Sequence, residues 1–377
     1  MGTCKFCGKT EKVISEVLQV CRKCILEGDW SIIKPHILNV HTEVRKLVEL
    51  PEKPPKAERP NIKLRCNLCI NECRLSDNDV SYCGLRNIQL RKSGQLPYPS
   101  KSKGYIHGYI DPNPTNCCNG WFCPAGTSSG YPKFSNFEGP EFGTYSYAAF
   151  FYGCSYNCLG CQNSSHKLFS KKNLFDVETL ATQIVKNEKI TCLCYFGGTP
   201  EPQLPFSINL AEKILEKIKD RKRVMRICWE WNGTGNREWI EKCMQIAIKT
   251  GGNIKFDLKS FNKKLNLALC GISNKRTLEN FKFLAENYFG TRKDLFELSG
   301  CTLMVPGYTD HEEVDQIAKF VSDINPEIPY SLLIFHGDYQ MRDLGITPRK
   351  QVLKSLDIAK KYLKNVHLGN KFLLGFS

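Results

Sequence analysis

The sequence predicts an α/β fold with parallel strands, preceded by small cysteine-rich modules. From about residue 146 onward, apolar strand-like runs alternate with amphipathic helices about six times. This alternation is typical of parallel strands joined by right-handed crossovers, either in an open doubly wound sheet or in a complete or partial barrel. Cysteines are frequent before this region, and glycine and polar residues follow the strand-like runs within it.

Length and composition restrict the class of protein. The chain has 377 residues, enough for one large domain or two to three ordinary ones. No apolar run approaches the ~20 residues of a membrane helix, and the first ten residues lack a secretory pattern. We therefore expect a cytoplasmic protein without a membrane partner. In that reducing compartment, the 20 cysteines are better explained as metal ligands or redox thiols than as disulfides.

The net charge of +15 permits a nucleic-acid partner, but a lysine-rich solvated surface explains it equally simply. Nucleic acid is therefore a partner that the sequence permits without favouring.

Residues 1–48 predict a small metal-binding module followed by a helix. Two C-x2-C pairs, Cys4 with Cys7 and Cys21 with Cys24, supply four thiols. Four thiolates are the ligands of a closed structural zinc site, and an iron–sulfur cluster is the alternative. Residues 49–61 contain four prolines, which forbid a continuous helix and predict an extended linker.

Residues 62–145 predict a second cysteine-rich module and an irregular covering segment. Cys66, Cys69, Cys73 and Cys83 could close another metal site, and their spacing does not distinguish zinc from iron–sulfur. The following stretch is rich in glycine, proline and aromatic residues, and it contains Cys117, Cys118 and Cys123. It could cover the open side of a partial barrel as a lid, with these thiols either functional or free.

Residues 146–377 predict the strand and helix repeats. The strand-like runs are Tyr147–Gly153, Thr191–Phe196, Val224–Trp231, Ile254–Leu258, Leu298–Val305 and Tyr330–Phe335. Helical faces are indicated by Val177, Leu180, Ala181 and Ile184, and by Leu210, Ile214 and Ile218. Thr309 followed by Glu312 predicts a capping box. We interpret the cysteines inside these runs as small core residues: Cys192, Cys194, Cys228, Cys243, Cys270 and Cys301.

The carboxyl ends of the strands are where the chemistry of such folds lies. After the first strand, Cys154, Cys158 and Cys161 follow C-x3-C-x2-C spacing. Three thiolates this close suit an iron–sulfur cluster better than a disulfide framework, and they leave one iron of a four-iron cluster open. The sequences GGTPEP, EWNG, DLKS and IFHGDY follow later strands, so polar and glycine residues collect at the same rim.

These motifs resemble the radical S-adenosylmethionine superfamily, in the branch that contains pyruvate formate-lyase activating enzyme. The Cys-rich N-terminal extension is similar to that of AmmeMemoRadiSam-type homologues. The resemblance covers about residues 146–370 and, more weakly, the sequence CNLCINECRLSDNDVSYCGLRN that begins at Cys66. It implies a partial (β/α)6 TIM-like barrel with a [4Fe-4S] cluster on Cys154, Cys158 and Cys161. S-adenosylmethionine would chelate the fourth iron and, on reduction, give methionine and a 5′-deoxyadenosyl radical.

By matching position, the resemblance also implies residues that contact this cofactor or line its site. Gly197 and Gly198 would let backbone approach the amino group. Lys259 would pair with the carboxylate, and Glu230 would accept from the ammonium or ribose hydroxyls. Family members often have an aromatic residue where this chain has Gly160, so Tyr156 is the candidate for holding the adenine. The implied set is Tyr156, Gly197, Gly198, Glu230, Asp257, Lys259 and His336.

The function implied is hydrogen abstraction from a carbon, with a protein or peptide as substrate and a donor such as ferredoxin or flavodoxin as electron source. One alternative is cobalamin-assisted methylation of a protein carbon, although no cobalamin domain is recognisable. Another is an RNA-binding or RNA-modifying metal-ribbon protein, which the charge favours and the strand-end motifs do not.

Overall fold

The structure is a computed structural model that describes residues 1–58, 60–94, 98–168 and 174–375. Arg59 of the predicted linker, residues 95–97 of the predicted second module, and residues 169–173 and 376–377 of the predicted barrel region lie outside the described residues.

Short elements form the first ninety residues. They are β1 (Gly2–Thr3), β2 (Thr10–Glu11), α1 (Arg22–Glu27), α2 (Trp30–Lys46), β3 (Leu64–Arg65), β4 (Arg74–Leu75) and α3 (Ile88–Lys92). The strand pairs β1–β2 and β3–β4 are antiparallel. In each pair the first strand precedes the first cysteine of its module, and the second strand lies between two later cysteines of that module. Helix α2 begins where Asp29 accepts a hydrogen bond from the Ser31 amide at 2.9 Å, an N-cap contact.

One large sheet dominates the rest of the chain. Its strands are β5 (Lys103–Pro112), β6 (Tyr145–Phe151), β7 (Leu174–Asp176), β8 (Ile190–Gly197), β9 (Arg226–Trp231), β10 (Ile254–Asp257), β11 (Leu298–Met304), β12 (Tyr330–Ile334) and β13 (Val366–Gly369). Among the described residues the order is β13-β12-β11-β10-β9-β8-β6-β5-β7. Strands β6 and β8 to β13 run parallel, whereas β5 is antiparallel to both its neighbours.

The prediction of an α/β fold with a partial parallel barrel is confirmed. All six predicted strands are present, and the two edges of the described sheet, β7 and β13, do not pair with each other. Strands β5, β7 and β13 were not predicted. Strand β5 has two glycines and an exposed second half, and β7 and β13 are short and half-buried, so none has the apolar run that marks a buried parallel strand.

In the part of the chain that the structure describes, six helices pack against the sheet: α5 (Val177–Lys186), α6 (Leu204–Ile218), α7 (Arg237–Thr250), α9 (Lys275–Tyr288), α10 (His311–Ile324) and α11 (Arg349–Tyr362). Helix α8 (Lys263–Cys270) packs on the N-terminal module, and the short helix α4 (Pro124–Thr127) lies in the segment before β6. The apolar faces predicted for α5 and α6 are buried. The predicted capping box at Thr309 is wrong by one residue, because Asp310 caps α10 by accepting from the amides of Glu312 and Glu313.

The segment before the first parallel strand packs at the beginning of several strands. Asn119 donates to Asn253 and accepts from Ser299, both at 2.8 Å. Trp121 donates to Ser331 at 3.2 Å and stacks on His367. Asn253, Ser299 and Ser331 lie at or before the starts of their strands. This segment therefore lies at the amino end of the sheet, opposite the end that carries the C-x3-C-x2-C loop.

No helix in the described part of the chain combines the length and apolar character that crossing a bilayer requires.

The N-terminal module is joined to the barrel through buried polar contacts. The Tyr308 hydroxyl accepts from the Ser15 amide at 3.0 Å and donates to the Val20 carbonyl at 2.9 Å. His41 of α2 contacts the Ala268 carbonyl through Nε2 at 3.1 Å and Asn157 through Nδ1 at 3.0 Å. A neutral imidazole satisfies both contacts when Nε2–H donates and Nδ1 accepts. The first ninety residues thus contact the same end of the barrel as the cysteine loop.

His41 should make stability fall in mild acid. Burial lowers the pKa of His41 to about 4, from an ordinary value of 6.5. Between those values the unfolded chain binds a proton that the folded chain excludes, so stability decreases as pH falls. The linkage amounts to about 2 kcal/mol between pH 7 and pH 5. Urea unfolding at the two pH values measures it. His41→Gln should reduce the difference by that amount, whereas the exposed control His107→Gln should leave it unchanged.

Candidate active site

The three cysteines of the C-x3-C-x2-C loop line one cavity at the carboxyl end of the sheet, which we call the three-thiol cavity. The loop follows β6, and the cavity has a volume of about 230 Å³. Two loop amides are fixed from outside, since Asn157 N–H donates to the Cys270 carbonyl at 2.8 Å and Leu159 N–H to the Leu269 carbonyl at 2.9 Å. These contacts hold the loop so that Cys154, Cys158 and Cys161 all face the same enclosed cavity.

The sulfur atoms of the cysteine loop are not all close enough together to share a single tetrahedral ion. Ligands of a single tetrahedral ion lie about 3.8 Å apart for metal–sulfur bonds of about 2.3 Å. In the described residues, the groups of three or more ligand atoms within 4.8 Å of one another are Cys4/Cys7/Cys21/Cys24 and Cys117/Cys118/Glu230. The loop cysteines are not such a group, as expected when each thiolate binds a different iron.

Cys270 adds a fourth thiol that sequence reasoning had placed in the core. Its Sγ lies 3.5 Å from Cys158 Sγ, within hydrogen-bond distance, and it lines the same cavity. This hydrogen bond, with Lys259 and Lys167 nearby, lowers the pKa of Cys158 to about 7 despite burial. Burial instead raises the pKa of the Cys154 thiol well above its usual range. A nearby donor favours the thiolate that a metal needs.

Glycines let the second strand end lie directly on the loop. A Cβ at Gly198 would lie 2.2 Å from the Gly153 carbonyl oxygen, and Gly197 has a φ of +108°, which favours glycine. Gly198 N–H donates to the Phe151 carbonyl at 2.9 Å and Thr199 N–H to the Gly153 carbonyl at 3.2 Å. The GGT segment therefore supports the cysteine loop with its backbone.

Buried polar atoms without protein partners lie around this cavity. Gln162 and His166 line it, and the Nε2 atom of Gln162 and the Nδ1 atom of His166 have no hydrogen-bond partner among the described residues. Unpaired buried polar atoms are costly unless a ligand satisfies them. The residues present thus fit a polar ligand beside the three thiols.

Glu201 of GGTPEP has a structural position. It is fully buried, accepts from Thr199 Oγ1 and from the Thr234 amide, and does not line the cavity. Burial raises the pKa of Glu201 to about 8.

A row of alternating charges extends from this cavity into the barrel. Lys259 contacts Asp257 at 2.8 Å, Asp257 contacts Lys255 at 3.2 Å, and Lys255 contacts Glu230 at 2.8 Å. Burial opposes ionisation of Asp257, but the two lysines lower its pKa to about 2. Lys255 was not among the predicted site residues. It lies two residues before Asp257 on β10, so the alternation of side chains along a strand places both on the same face and could have predicted its role.

The other predicted site residues occupy different positions. Tyr156 lines the three-thiol cavity, fully buried, with its hydroxyl 2.8 Å from Thr277 Oγ1. A side chain at Gly160 would meet the ring of Phe335 at 2.9 Å, so another aromatic residue occupies that space. Glu230 lines a second cavity rather than the first. His336 is half-buried and lines neither.

The second cavity, of about 640 Å³, lies at the open side of the barrel and is called the seam cavity here. Tyr109 and Asp111 of β5 form one wall, and residues 367–372 at and after β13 form the other. Lys255 and Leu333 line both cavities. The exposed side chains of Tyr109 and Phe372 lie at its walls. The seam cavity and the three-thiol cavity are therefore neighbours that meet at Lys255 and Leu333.

The second cysteine module lies against the cysteine loop. Asn71 Nδ2 donates to the Ser155 carbonyl at 2.8 Å, and Ile70 N–H donates to the Thr234 carbonyl at 3.0 Å. Burial lowers the pKa of the Arg86 guanidinium, but the four thiols of the module, as thiolates, raise it and outweigh burial. Cys66, Cys69, Cys73 and Cys83 thus all stabilise one cation, but they do not form a group as close as the Cys4 set.

Comparison with known proteins places residues 149–321 in the radical SAM superfamily. A Methanocaldococcus jannaschii protein named for glycyl-radical enzyme activation is 26% identical over 220 residues, 57% of this chain and 77% of that protein. Isethionate sulfite-lyase activating enzyme of Desulfovibrio desulfuricans is 32% identical over 141 residues, 37% of this chain and 40% of that protein. Pyruvate formate-lyase 1-activating enzyme of Escherichia coli K12 is 24% identical over 192 residues, 50% of this chain and 74% of that protein.

Among solved structures, Streptococcus suis SuiB bound to precursor peptide SuiA aligns at 14% identity and a TM-score of 0.44, over 60% of this chain and 48% of that one. A domain of pyruvate formate-lyase-activating enzyme from Bacteroides vulgatus aligns at 18% identity and a TM-score of 0.34, over 47% of this chain and 98% of that one. The family match spans the cysteine loop and the ends of strands β8 to β11, and it identifies residues 149–321 as a radical SAM superfamily domain; the chain is thus a radical SAM enzyme that is similar to activating enzymes.

Proposed function

We propose that this enzyme abstracts a hydrogen atom from a carbon of a protein or peptide segment that enters the seam cavity. The observation that carries the proposal is the sharing of Lys255 and Leu333 by the walls of the three-thiol and seam cavities. The seam cavity has a volume of about 640 Å³ and an open side, so a short stretch of polypeptide can enter it from outside. Relatives named as activating enzymes, whose substrates are themselves enzymes, agree with this class.

Cys154, Cys158 and Cys161 would hold three irons of a [4Fe-4S] cluster. With S-adenosylmethionine bound, the reduced cluster would supply the one-electron chemistry that removes a hydrogen atom from the substrate carbon and yields methionine and 5′-deoxyadenosine. Gly197 and Gly198 line the cavity and would present backbone without a side chain to the cofactor's amino group, and Lys259 would pair with its carboxylate. Tyr156 provides an aromatic face for the adenine. Asp257 keeps Lys259 charged and oriented at 2.8 Å. Glu230 and His336, which do not line the three-thiol cavity, would act from farther away.

The two N-terminal cysteine sets suit different metals. The Cys4, Cys7, Cys21 and Cys24 sulfurs lie within 4.8 Å of one another, which favours a single zinc ion. Cys66, Cys69, Cys73 and Cys83 lack that close spacing and lie beside the cysteine loop, which favours a second iron–sulfur cluster that passes electrons inward. Ferredoxin or flavodoxin would be the external donor, in a reducing cytoplasm. The cysteine-rich extension supports an AmmeMemoRadiSam-type homologue.

Replacing Lys259 by Met should weaken S-adenosylmethionine binding. Loss of a charge-assisted hydrogen bond costs about 1.5–3 kcal/mol, or about 10- to 100-fold in affinity. The concentration of S-adenosylmethionine that gives half-maximal 5′-deoxyadenosine formation measures the effect. Lys263→Met, an exposed lysine at the start of α8, is the matched control and should behave as wild type. Equal half-maximal concentrations in the two variants would remove Lys259 from the proposed site.

The substrate class can be tested by hydrogen transfer. Wild-type holoenzyme, dithionite and S-adenosylmethionine are incubated with a protein fraction from source cells grown in deuterated medium. Deuterium in 5′-deoxyadenosine, read by mass spectrometry, reports the hydrogen donor. We expect transfer from the intact protein fraction and none from the small-molecule filtrate of the same cells. Transfer from the filtrate alone would contradict a protein substrate.

A cavity-filling variant separates substrate access from cofactor cleavage. Ala148 is buried and lines the seam cavity but not the three-thiol cavity. Ala148→Phe should therefore abolish deuterium transfer while uncoupled cleavage of S-adenosylmethionine continues. A variant that still transfers deuterium at the wild-type rate would show that the substrate does not use the seam cavity.

A further inference from the structure

The inner wall of the seam cavity carries two thiols that the radical chemistry does not use, together with the carboxylate of Glu230. Cys117 Sγ, Cys118 Sγ and a carboxylate oxygen of Glu230 lie within 4.8 Å of one another. Cys117 Sγ donates to Glu230 Oε1 at 3.1 Å, and Cys194 Sγ donates to the same oxygen at 3.4 Å. All three ligands and Cys194 line the cavity. Thiols from the covering segment thus meet a carboxylate from β9.

This meeting is fixed by the packing of the covering segment. The Cys118 carbonyl accepts from Ser331 Oγ at 2.9 Å, and the next residue, Asn119, bonds Asn253 and Ser299. The backbone that carries both thiols is therefore attached to the starts of three strands. Such attachment holds ligands in place before a metal arrives.

The two oxygens of Glu230 have separate partners. Oε2 contacts Lys255 Nζ at 2.8 Å, whereas Oε1 faces the thiols of Cys117 and Cys194. Lys255 therefore orients the carboxylate without occupying the oxygen on the thiol side. A charged partner that orients a ligating carboxylate in this way is a usual second layer of a metal site.

We propose that Cys117, Cys118 and Glu230 bind a thiophilic divalent metal ion of the zinc or iron(II) class. Two thiolates and one carboxylate are ligands that such ions accept in tetrahedral geometry, and three protein ligands leave the fourth position open. That position faces the seam cavity. When ionised, Cys117, Cys118, Glu230 and Asp257 carry four negative charges. A divalent ion together with Lys255 and Lys259 balances them. The site is separate from the Cys4 set and from the cysteine loop.

The experiment measures metal content and does not depend on turnover, so it can fail independently of the proposed substrate. Holoenzyme with its reconstituted cluster is incubated with Zn²⁺, passed through gel filtration and analysed for zinc per chain. The double variant Cys117→Ser/Cys118→Ser should hold one zinc fewer than wild type. Cys123→Ser, six residues along the same segment, is the matched control and should match wild type. Equal zinc in the double variant and wild type would overturn the proposal.

A second measurement uses the wild-type chain alone, in case the double variant does not fold. Alkylation by iodoacetamide, mapped by mass spectrometry, should slow at least tenfold at Cys117 and Cys118 when Zn²⁺ is present. Glu230→Gln should lose most of that protection, because the neutral amide is a poorer ligand. Equal labelling with and without Zn²⁺, or a Cys117–Cys118 disulfide in the anaerobically purified protein, would overturn the proposal.

Discussion

Replacing Cys154, Cys158 and Cys161 together by Ala should abolish formation of 5′-deoxyadenosine from S-adenosylmethionine. The three thiols line one cavity, and their removal leaves no protein ligand from the loop for the cluster iron. We expect activity to fall to the background of the assay after anaerobic reconstitution with iron and sulfide and reduction with dithionite. Product is measured by chromatography with mass detection.

Cys243→Ala is the control for this experiment. Cys243 is fully buried in α7 and lines neither described cavity, so its loss should alter stability more than turnover. Iron content is measured in parallel, because the triple variant should also lose the corresponding iron. If the triple variant kept both its iron and its product, the cysteine loop would not be the cluster site.

Replacing Arg226 by Met should destabilise the fold by about 3–5 kcal/mol. Arg226 and Glu141 are both buried, and the guanidinium contacts the carboxylate at 2.8 and 2.5 Å. It also donates to the Phe134 carbonyl and to Thr191 Oγ1, each at 2.7 Å. The substitution leaves a buried carboxylate without its counter-ion, which is the costly way to break a buried pair. Urea unfolding followed by tryptophan fluorescence gives the change in free energy.

The pH dependence of this variant identifies the cause. In the wild type, burial opposes ionisation of Glu141, but Arg226 lowers its pKa to about 2. That stabilisation is complete above pH 4.5 and is lost as pH falls toward 2. Arg226→Met removes the ion pair, whereas burial and the hydrogen bonds that Glu141 accepts from the Asn136 amide and Thr191 Oγ1 remain, so the destabilisation should grow as pH rises and Glu141 ionises. The exposed ion pair between Lys242 and Glu238 provides a control. Lys242→Met breaks that contact and should change the free energy of unfolding little. A pH-independent loss would point to packing rather than to the unpaired carboxylate.

The parts of the fold that could be predicted from the sequence depend on local patterns. The six strands follow from buried apolar runs, and the cysteine loop follows from spacing within eight residues. The cap of α10 was misplaced by one residue because Thr309 and Asp310 are both good cap residues. The side chain of Asp310 reaches two amides, whereas Thr309 is buried. The choice between them depends on the direction of the chain before the helix, which the sequence does not express.

The parts that could not be predicted depend on contacts between distant segments. Cys270 reaches Cys158 across 112 residues, and Cys194 contacts a carboxylate on the neighbouring strand. A cysteine in an apolar run looks the same whether it faces the core or the barrel interior, because strand alternation fixes sides but not which side is inner. The covering segment has no periodicity, so its place at the amino end of the sheet comes only from contacts such as Asn119 with Asn253.

The dependence of the cysteine loop on α8 has a consequence for biosynthesis. The amides of Asn157 and Leu159 donate to carbonyls at the end of α8, so a growing chain exposes the three cysteines well before it contains these acceptors. A ribosome-bound fragment that ends before Cys270 would present loose thiols to the iron-delivery machinery. Iron insertion should therefore follow synthesis of α8, and chains truncated before Cys270 should emerge from cells without the cluster.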